Sequence, residues 1–489
     1  MSLETSINFP NFWPFTNSYI NLPDLLFQRI KPTTVRNPKI IKLNKTLSDE
    51  LNLSNIDQKD LTTLLSGNYV PNNAKTIALA YAGHQFGSFV PSLGDGRAIL
   101  LGELKDNFGK LKDLQLKGSG KTMFSRGGDG RSPLGPVVRE YIISEAMHSL
   151  SIPSTRSLAA LSTGETVNRD RKIPGGILAR VASSHIRVGT FQYCQAKNDI
   201  NSLKKLCHYT VQRLYPHIEH NENPYLDLLK ELQKKQISLI SKWMSVGFIH
   251  GVMNTDNTSV FGETIDFGPC AFLDEYDPNK VFSSIDYHGR YSFNNQPGIA
   301  QWNLARFAES ILPLIHNDTN KSVELANEVI NKFPEQFKDV WLDDMRRKIG
   351  LISPQNSDEE LINKLLKIMS LYKLDFTETF RNLGQGYISK NTNNSEIDDW
   401  IIQWSKRIKK ENKEITKAFE MMNKINPVYI PRNHLVETVI NDIIEGNNYK
   451  NFDKFNKLLS EPFTVNEKDE FYSPFAKPEE KVTQTFCGT

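Results

Sequence analysis

The chain has 489 residues, of which 39% are hydrophobic and 24% charged, so it has the composition of a folded globular protein with about two or three domains. A formal net charge of +3 at pH 7 is too small to indicate nucleic acid or a membrane as a partner, and the four cysteines lack the Cys-x-x-Cys spacing of a zinc site. We find no apolar stretch of about 18 residues and no secretion signal, so we expect a cytoplasmic protein with reduced thiols. We also expect a monomer.

The first part of the chain is predicted to combine an irregular segment with a small sheet. Residues 1–59 mix proline, asparagine and aromatic residues without clear periodicity, which predicts an N-terminal arm packed on the body. Farther on, short apolar runs are separated by glycines, as in paired strands. Three strands are predicted, at 98–103, 111–117 and 175–182. A helix is predicted at 136–150, because it begins at a proline, has apolar residues at helical spacing and is followed by another proline.

The second part is predicted to be helical. The pattern is clearest at 225–246, where apolar residues recur every three to four positions and Gly247 follows. Further helices are predicted at 300–315, 322–333, 358–371, 397–422 and 434–445. We therefore divide the chain into an arm (1–59), a small mixed β/α lobe (60–195), a helical lobe (196–440) and a C-terminal tail that contains Cys487 (441–489).

Two glycine-rich turns are candidates for contact with phosphate groups. Gly94 and Gly96 stand at a strand edge and allow backbone N–H groups to approach an anion, and the guanidinium of Arg97 fits phosphate oxygens. Asp129 and Gly130 belong to a second turn with arginines on either side. The first segment could also be a tight turn with a solvated arginine, and the second could be only a flexible loop.

Lys117 ends the second predicted strand and is a candidate phosphate-contacting lysine. Its partner would be Glu140 on the following helix, which copies the pairing of a strand lysine with a helix glutamate in protein kinases. The alternative is two exposed charges on separate elements. The nearby run at 118–122, Gly-Ser-Gly-Lys-Thr, is not a P-loop, because the pattern requires glycine at the position of Gln115.

Arginines are frequent near the last predicted strand. Arg180 lies on this strand and Arg187 just beyond it, and Arg169 and Arg171 precede it. Guanidinium groups suit a polyphosphate because their charge is permanent and their geometry matches its oxygens. They could also be ordinary surface arginines.

An Asp-Phe-Gly turn begins at Asp266, nine residues after Asn257. Asn257 and Asp266 offer the oxygen ligands that Mg²⁺ or Mn²⁺ prefers, and the kinase counterparts of these two residues hold metal against nucleotide phosphates. The alternative is an Asx-rich turn. The kinase base would stand two residues after His250, where this chain has Val252, whereas Asp256 is placed to accept a proton. The pattern indicates a kinase-like nucleotide site that carries out different chemistry. We expect His250 to pack as a structural residue and do not include it in the catalytic set.

Six runs of the chain resemble the SelO (selenoprotein O) family, and the similarity extends from about residue 10 to the C-terminus. They are Tyr-Ala-Gly-His-Gln-Phe-Gly (81–87), Leu-Gly-Asp-Gly-Arg-Ala (93–98), Gln-Leu-Lys-Gly (115–118), Arg-Glu-Tyr-Ile-Ile-Ser-Glu-Ala-Met-His (139–148), His-Gly-Val-Met-Asn-Thr-Asp-Asn (250–257) and Ile-Asp-Phe-Gly-Pro (265–269). The resemblance implies a pseudokinase with an α+β, bilobal protein-kinase-like fold, a mixed β/α N-lobe and a mainly helical C-lobe. It also implies a protein adenylyltransferase that moves AMP from ATP to Ser, Thr or Tyr hydroxyls of proteins and releases pyrophosphate.

The resemblance further implies that the nucleotide binds inverted relative to a kinase, so that the α-phosphorus faces the acceptor. The implied ATP-binding residues are Gly94, Gly96, Arg97, Lys117, Asp129, Gly130, Arg180, Arg187 and Asp266. Asn257 and Asp266 would bind Mg²⁺ or Mn²⁺, Asp256 would accept the proton, and Glu140 would pair with Lys117.

The family also carries selenocysteine or cysteine three residues from its C-terminus, where this chain has Cys487. The resemblance implies redox control through a bridge from this residue to a cysteine after the Asp-Phe-Gly turn, and Cys270 is the cysteine available there. The alternative is a buried Cys270 and a free tail thiol.

Three other functions remain open at this point. A protein uridylyltransferase would use UTP in the same chemistry, and no motif reports the choice of base. An ordinary protein kinase would transfer the γ-phosphate. A non-catalytic pseudokinase scaffold would bind the nucleotide and transfer nothing.

Overall fold

The computed structural model describes residues 13–388, 395–411, 414–466 and 475–486. Within these ranges the strands are β1 (Phe27–Arg29), β2 (Lys39–Leu43), β3 (Ile77–Leu79), β4 (Gly83–Gln85), β5 (Ser88–Val90), β6 (Ala98–Lys105), β7 (Leu111–Lys117), β8 (Ser132–Pro133), β9 (Arg156–Asn168), β10 (Lys172–Ala182), β11 (Phe248–Ile249) and β12 (Ala271–Phe272).

The helices within the described ranges are α1 (Lys45–Glu50), α2 (Gln58–Leu65), α3 (Leu134–Ser149), α4 (Val188–Ala196), α5 (Ile200–Leu214), α6 (Pro224–Ser245), α7 (Gln296–Ile315), α8 (Thr319–Ile330), α9 (Phe333–Lys348), α10 (Asp358–Leu371), α11 (Phe376–Leu383), α12 (Ser395–Lys409), α13 (Ile415–Ile425), α14 (Asn433–Gly446) and α15 (Lys450–Leu459). The protein is thus mixed α/β, with a sheet-rich N-terminal part and a helical C-terminal part. None of the described helices is both long and apolar enough to cross a lipid bilayer.

An antiparallel sheet forms the centre of the N-terminal part. Its strand order among the described residues is β1-β3-β6-β7-β10-β9-β2, and β8 pairs with β10. The register places Lys117, the last residue of β7, opposite Ala98 of β6 and Leu178 of β10. The lysine therefore lies at the end of a central strand, where its neighbours fix the backbone on both sides.

Both faces of this sheet are covered by helices. Leu61, Leu64 and Leu65 of α2 pack on one face, in a cluster that includes Leu114 and Leu116 of β7. On the other face α3 packs against the sheet, and α14 and α15 pack behind α3. Because the sheet is buried on both sides, β6 has a nearly continuous apolar sequence rather than strict alternation.

The structure corrects several sequence-based expectations. The segment 27–65 is not irregular, since β1 pairs with β3, β2 pairs with β9, and α1 and α2 cover the sheet. The long strand β9 was not predicted. The predicted helix 397–422 is two helices, α12 and α13, and the tail region contains α15. The domain boundaries themselves remain a prediction.

Helix α6 organises the helical part. Pro224 occupies its first turn, and the side chain of Asn223 accepts a hydrogen bond from the backbone N–H of Leu226, so the helix start is capped. One apolar face, which includes Leu229 and Leu232, is buried among α7, α8 and α9. Gly247, with φ of +73°, lets the chain leave the helix and form β11, which leads to the candidate catalytic segment.

A buried lysine in the helical part generates a prediction about stability. Lys348 is only 3% exposed, its Nζ donates to Asn426 Oδ1 at 2.8 Å, and it lies 4.1 Å from the ring centroid of Phe380. Burial lowers the pKa of Lys348 to about 7, and Asp344 only partly opposes this. Above this pH the folded protein releases a proton that the unfolded chain still holds, so folding stability gains from rising pH.

We therefore expect the unfolding free energy of the wild type to rise relative to that of Lys348→Met by up to about 1.4 kcal/mol per pH unit above pH ~7. Urea unfolding at about pH 7 and pH 8.5 measures this difference. Lys338→Met, on the exposed side of α9, is the control and should show no such change. Parallel pH dependence in the wild type and Lys348→Met would contradict the buried neutral lysine.

Candidate active site

A cavity of about 990 Å³ lies where the sheet-rich and helical parts meet. It brings together most of the residues singled out from the sequence. Its lining includes Gly94, Gly96, Arg97, Lys117, Asp129, Gly130, Glu140, Arg180, Arg187, Asp256, Asn257 and Asp266.

Asp266 is the electrostatic centre of this cavity. Its Oδ1 accepts hydrogen bonds from Lys117 Nζ at 2.9 Å and from Arg180 at 2.6 Å, and its Oδ2 accepts one from Arg187 at 2.7 Å. Burial alone would raise the pKa of Asp266, but these cations hold it well below its ordinary value. Asp266 has φ of +65°, a left-handed conformation that aspartate tolerates better than most residues, and the surrounding ion pairs keep it there.

Glu140 completes the ion-pair cluster from the side of α3. Its Oε2 lies 2.6 Å from Lys117 Nζ, and its Oε1 accepts a hydrogen bond from Arg180 at 3.2 Å. Helix α3 brings Glu140 to this position because the apolar residues around it are packed against the sheet. The lysine and the glutamate are thus joined inside the protein and are not two separate surface charges.

Two further buried residues orient the arginines and were not predicted. Gln115 accepts a hydrogen bond from Arg180 at 2.6 Å and donates to Asp95 Oδ2 at 2.8 Å. Asp95 also accepts from the backbone N–H of Leu79 and lies 3.8 Å from Arg187. The signal available in the sequence was the alternation of β7, which places Gln115 on the same face as Asp113 and Lys117.

Asp256 lies in a short 3₁₀ turn, Thr255–Asn257, and is 6% exposed. Its Oδ2 accepts from Gln85 Nε2 at 3.3 Å, and its Oδ1 has no hydrogen-bond partner among the described residues. Burial raises the pKa of Asp256 to about 6, although Arg187 and Gln85 act in the opposite direction. The pKa of Asp256 therefore lies just below neutral pH, and one of its carboxylate oxygens accepts no hydrogen bond from a described residue.

The β4–β5 hairpin holds the segment that carries Asp256, a role that was not predicted for the run 81–87. The backbone N–H of His84 donates to Thr255 Oγ1 at 2.7 Å, and that of Phe86 donates to Asn254 Oδ1 at 3.1 Å. A Cβ at Gly83 would stand 2.8 Å from the Cβ of Asp256. Only glycine leaves room for the carboxylate in its present position.

The glycines of the two turns permit close contacts between loops as well as lining the cavity. A Cβ at Gly94 would overlap the Phe124 ring, and one at Gly96 would lie 2.8 Å from the Phe124 carbonyl oxygen. A Cβ at Gly130 would overlap the backbone of Gly120. In this structure, the space beside these glycines is filled by neighbouring backbone and the phenylalanine ring.

Two carboxylates, Asp129 and Asp266, are proposed to contact the nucleotide, and Asp129 is the more exposed of the two. Its Oδ2 lies 2.9 Å from Arg169 Nη1, and its Oδ1 accepts from the backbone N–H of Arg131. Arg131 donates in turn to the carbonyl oxygens of Thr33 and Thr34. These contacts fix the glycine-rich loop at the rim of the cavity.

Asn257 and Asp266 are the residues expected to hold a metal ion. The Asn257 amide nitrogen donates to the carbonyl oxygen of Val252 at 3.0 Å, and its amide oxygen is the group available to a cation. No group of three or more His, Cys, Asp or Glu that could hold a metal exists within the described part of the chain. An amide oxygen and one carboxylate fit an ion such as Mg²⁺ that takes its remaining ligands from phosphate and water.

His250 is structural in this arrangement. It is 1% exposed, its ring stacks 5.3 Å from that of Trp243, and its Nε2 lies 2.9 Å from the carbonyl oxygen of Ile265. It therefore supports the start of the Asp-Phe-Gly turn.

Cys270 lies directly behind the Asp-Phe-Gly turn and does not line the cavity. It is fully buried, and burial raises the pKa of its thiol to about 12. Thr485 donates a hydrogen bond to the carbonyl oxygen of Pro269, so the C-terminal segment passes next to Cys270. Cys487 lies outside the described residues, and a bridge between the two cysteines stays a prediction.

Comparison with known proteins identifies the family. The family model described as "Protein adenylyltransferase SelO" matches residues 12–461. A protein nucleotidyltransferase YdiU from Bradyrhizobium sp. (strain ORS 278) is 49% identical over 98% of this chain and 99% of its own length. Proteins of the same name from Anoxybacillus flavithermus and Maridesulfovibrio salexigens are each 48% identical, over 98% and 97% of this chain and 99% and 98% of their own lengths. The chain therefore belongs to the SelO family of protein nucleotidyltransferases.

Proposed function

We propose that the protein is an adenylyltransferase that moves AMP from ATP to Ser, Thr or Tyr hydroxyls of other proteins and releases pyrophosphate. The observation that carries this proposal is the combination, in one cavity, of three cations gathered on Asp266 with the buried carboxylate of Asp256, which keeps one oxygen uncommitted. The first group suits a polyphosphate. The second suits the activation of a hydroxyl.

The arrangement of the ion pairs supports a bilobal, kinase-like fold. Lys117 at the end of a strand pairs with Glu140 on the helix that packs on the same sheet, as the corresponding lysine and glutamate do in kinases. In the order of the motifs along the chain, Asn257 and Asp266 correspond to the two metal ligands of kinases. Val252, however, is 7% exposed and apolar at the position of the kinase base, which disfavours transfer of the γ-phosphate by the kinase route.

The cationic cluster would serve the leaving group. In-line attack on the α-phosphorus expels pyrophosphate, so negative charge develops on the β-phosphate oxygens. Lys117, Arg180 and Arg187 are fixed by buried neighbours and would require little rearrangement to exchange part of their contact with Asp266 for contact with phosphate. This pre-organisation is worth more in a water-poor cavity than it would be in solvent.

Asp256 would accept the proton of the attacking hydroxyl. With its pKa raised to about 6 by burial, it is ionised at neutral pH and still basic enough to take a proton as the oxygen–phosphorus bond forms. The inverted orientation of ATP brings the α-phosphorus, rather than the γ-phosphorus, toward this carboxylate.

A divalent ion would be held by Asn257 and Asp266 together with the phosphates. It would supply additional neutralisation of the phosphate charge. Asp266 has both oxygens engaged by Lys117, Arg180 and Arg187, so part of these contacts must pass to the triphosphate before the carboxylate is free to act as a ligand. Nucleotide and metal are therefore expected to bind together.

The transfer itself is tested with labelled nucleotides. We expect wild-type protein, with Mg²⁺ or Mn²⁺ and casein as a hydroxyl-rich acceptor, to incorporate label from [α-³²P]ATP and none from [γ-³²P]ATP. Asp256→Asn should reduce incorporation by about a hundredfold or more because it removes the proton acceptor. Nucleotide affinity, measured by calorimetry, should stay close to the wild-type value. Incorporation of the γ-label would indicate a kinase, and incorporation of neither label a scaffold; a parallel reaction with [α-³²P]UTP compares the two nucleotides.

The contact between the hairpin and Asp256 gives a second prediction. Gly83→Ala places a methyl group 2.9 Å from Asp256 Cγ, so the carboxylate must shift from its present position. We expect at least a tenfold loss of label transfer with unchanged ATP affinity and near-normal melting temperature. Gly298→Ala is the matched control, because a Cβ there meets nothing within 4 Å. Wild-type transfer rates in Gly83→Ala would show that the position of Asp256 is unimportant.

The crowding of cations on Asp266 gives a third prediction, which can be measured without nucleotide. Lys117→Met removes one cation from Asp266 Oδ1, so Mn²⁺ should bind the free variant about tenfold more tightly than it binds the wild type, as measured by the electron paramagnetic resonance signal of unbound Mn²⁺. Lys121→Met, an exposed neighbour, should leave Mn²⁺ affinity unchanged. Adding Asp266→Asn to Lys117→Met should abolish the gain. If Lys117→Met binds Mn²⁺ no better than the wild type, Asp266 is not the metal ligand held back by these cations.

A further inference from the structure

A cluster of arginine and aromatic side chains lies beside Asp256 and outside the nucleotide cavity. Its centre is Trp302 of α7, whose ring has the guanidinium carbon of Arg290 at 4.8 Å and that of Arg306 at 5.0 Å. The His84 ring meets the same indole edge-on at 5.1 Å, and the Phe89 ring lies 4.9 Å from His84. We call this surface, formed by His84, Phe89, Arg290, Trp302 and Arg306, the Arg–Trp face.

The Arg–Trp face is joined to the segment that carries Asp256 by short hydrogen bonds. Gln192 contacts His84 Nδ1 at 2.9 Å and accepts from Thr255 Oγ1 at 2.6 Å. Tyr291, next to Arg290, donates its hydroxyl to Asn254 Oδ1 at 2.6 Å. The hairpin residue Gln85, next to His84, reaches Asp256 itself. A polypeptide bound on this face would therefore lie adjacent to the proton acceptor.

The face carries positive charge that the described carboxylates neutralise only in part. Arg290 forms no salt bridge with any described carboxylate, and Arg306 pairs with Glu309, a neighbour on the same helix that is itself partly exposed. The positive charge of the two arginines also acts on His84. Burial lowers the pKa of His84, and both arginines lower it further. Phe89, at 44% exposure, adds apolar surface.

We propose that the Arg–Trp face docks the acceptor protein through a segment that carries acidic side chains, with an apolar neighbour, next to the hydroxyl to be modified. This inference rests on the proposed function, since it names the recognition element of the same site. Guanidinium groups stacked on an aromatic ring keep their N–H edges available for carboxylates, and the ring limits their motion, so less entropy is lost on binding. Charge complementarity therefore selects an acidic partner.

The face also fits the direction of the reaction. The nucleotide occupies the cavity bounded by the sheet and by Lys117, Arg180 and Arg187, so the hydroxyl must reach Asp256 from outside this cavity. The hairpin is one of the walls around Asp256, and the Arg–Trp face continues from it. Carboxylates of the substrate held there stay away from the phosphates, which would repel them.

The test measures binding separately from transfer. The probes are three fluorescein-labelled peptides with a central serine. They differ only at the flanking positions, which are all Glu, all Gln or all Lys. Fluorescence anisotropy with the full chain and a non-hydrolysable ATP analogue should give an affinity about tenfold higher for the Glu peptide than for the Gln peptide, and the Lys peptide should bind most weakly. The doubly substituted variant Arg290→Glu/Arg306→Glu should reverse this order.

The control is the variant Arg347→Glu. Arg347 is an exposed arginine on α9 that pairs with Asp343, so this substitution changes the net charge by the same amount per site at a position away from the Arg–Trp face. It should leave the order of peptide affinities unchanged, and all variants should keep wild-type ATP affinity and melting temperature. Equal binding of the three peptides, or the same loss in Arg347→Glu, would overturn the docking inference while transfer of the α-label to casein still supported adenylylation. Absence of α-label transfer would instead overturn the proposed function, since peptide binding is read without chemistry.

Discussion

One carboxylate, Asp266, joins the helical part of this protein to the sheet-rich part through ion pairs. Its partners come from separate elements: Lys117 from β7, Arg180 from β10 and Arg187 from the N-cap of α4. A buried carboxylate is strongly destabilising unless it is paired, so Asp266 and these cations depend on one another. With Glu140 and Asp95 included, three cations face three carboxylates, so the charges of the cluster are paired inside the protein. Such a cluster needs no ligand to pair its charges, and a polyphosphate that binds there would compete with the carboxylates for the same cations.

The parts of the fold predictable from sequence are those with local patterns. Strands β6 and β7 and helix α3 follow from apolar runs between glycines and from prolines at the helix ends. The pairing of Lys117 with Glu140 was predicted by analogy with kinases, because these patterns alone left two separate exposed charges as an alternative. The prediction of an irregular arm was wrong because β1 is too short to show alternation, and β2 is ordered by pairing with the distant β9. The break between α12 and α13 has no proline or glycine to mark it.

The surroundings of Asp256 were beyond prediction for a related reason. The hydrogen bond from Gln85 joins residues 171 positions apart, and Gln85 belongs to a hairpin of two three-residue strands without periodicity. The run 81–87 contributes to the family resemblance, yet nothing in its composition indicates that it lies over a carboxylate. Gln115 differs, because the alternation of β7 places it beside Lys117, and only its contact with Arg180 depends on the pairing of β7 with β10.

Two aspartates that share Arg187 are thus given opposite properties by their surroundings. Arg187 donates to the carboxylate of Asp266 but only to the backbone carbonyl of Asp256. Cations hold the pKa of Asp266 well below its ordinary value, while burial raises that of Asp256 to about 6. Environments that separate the pKa values of neighbouring carboxylates commonly assign one to charge and the other to proton transfer. The same guanidinium therefore fixes the position of the proposed base without neutralising it, which is what a proton acceptor next to a cationic phosphate site requires.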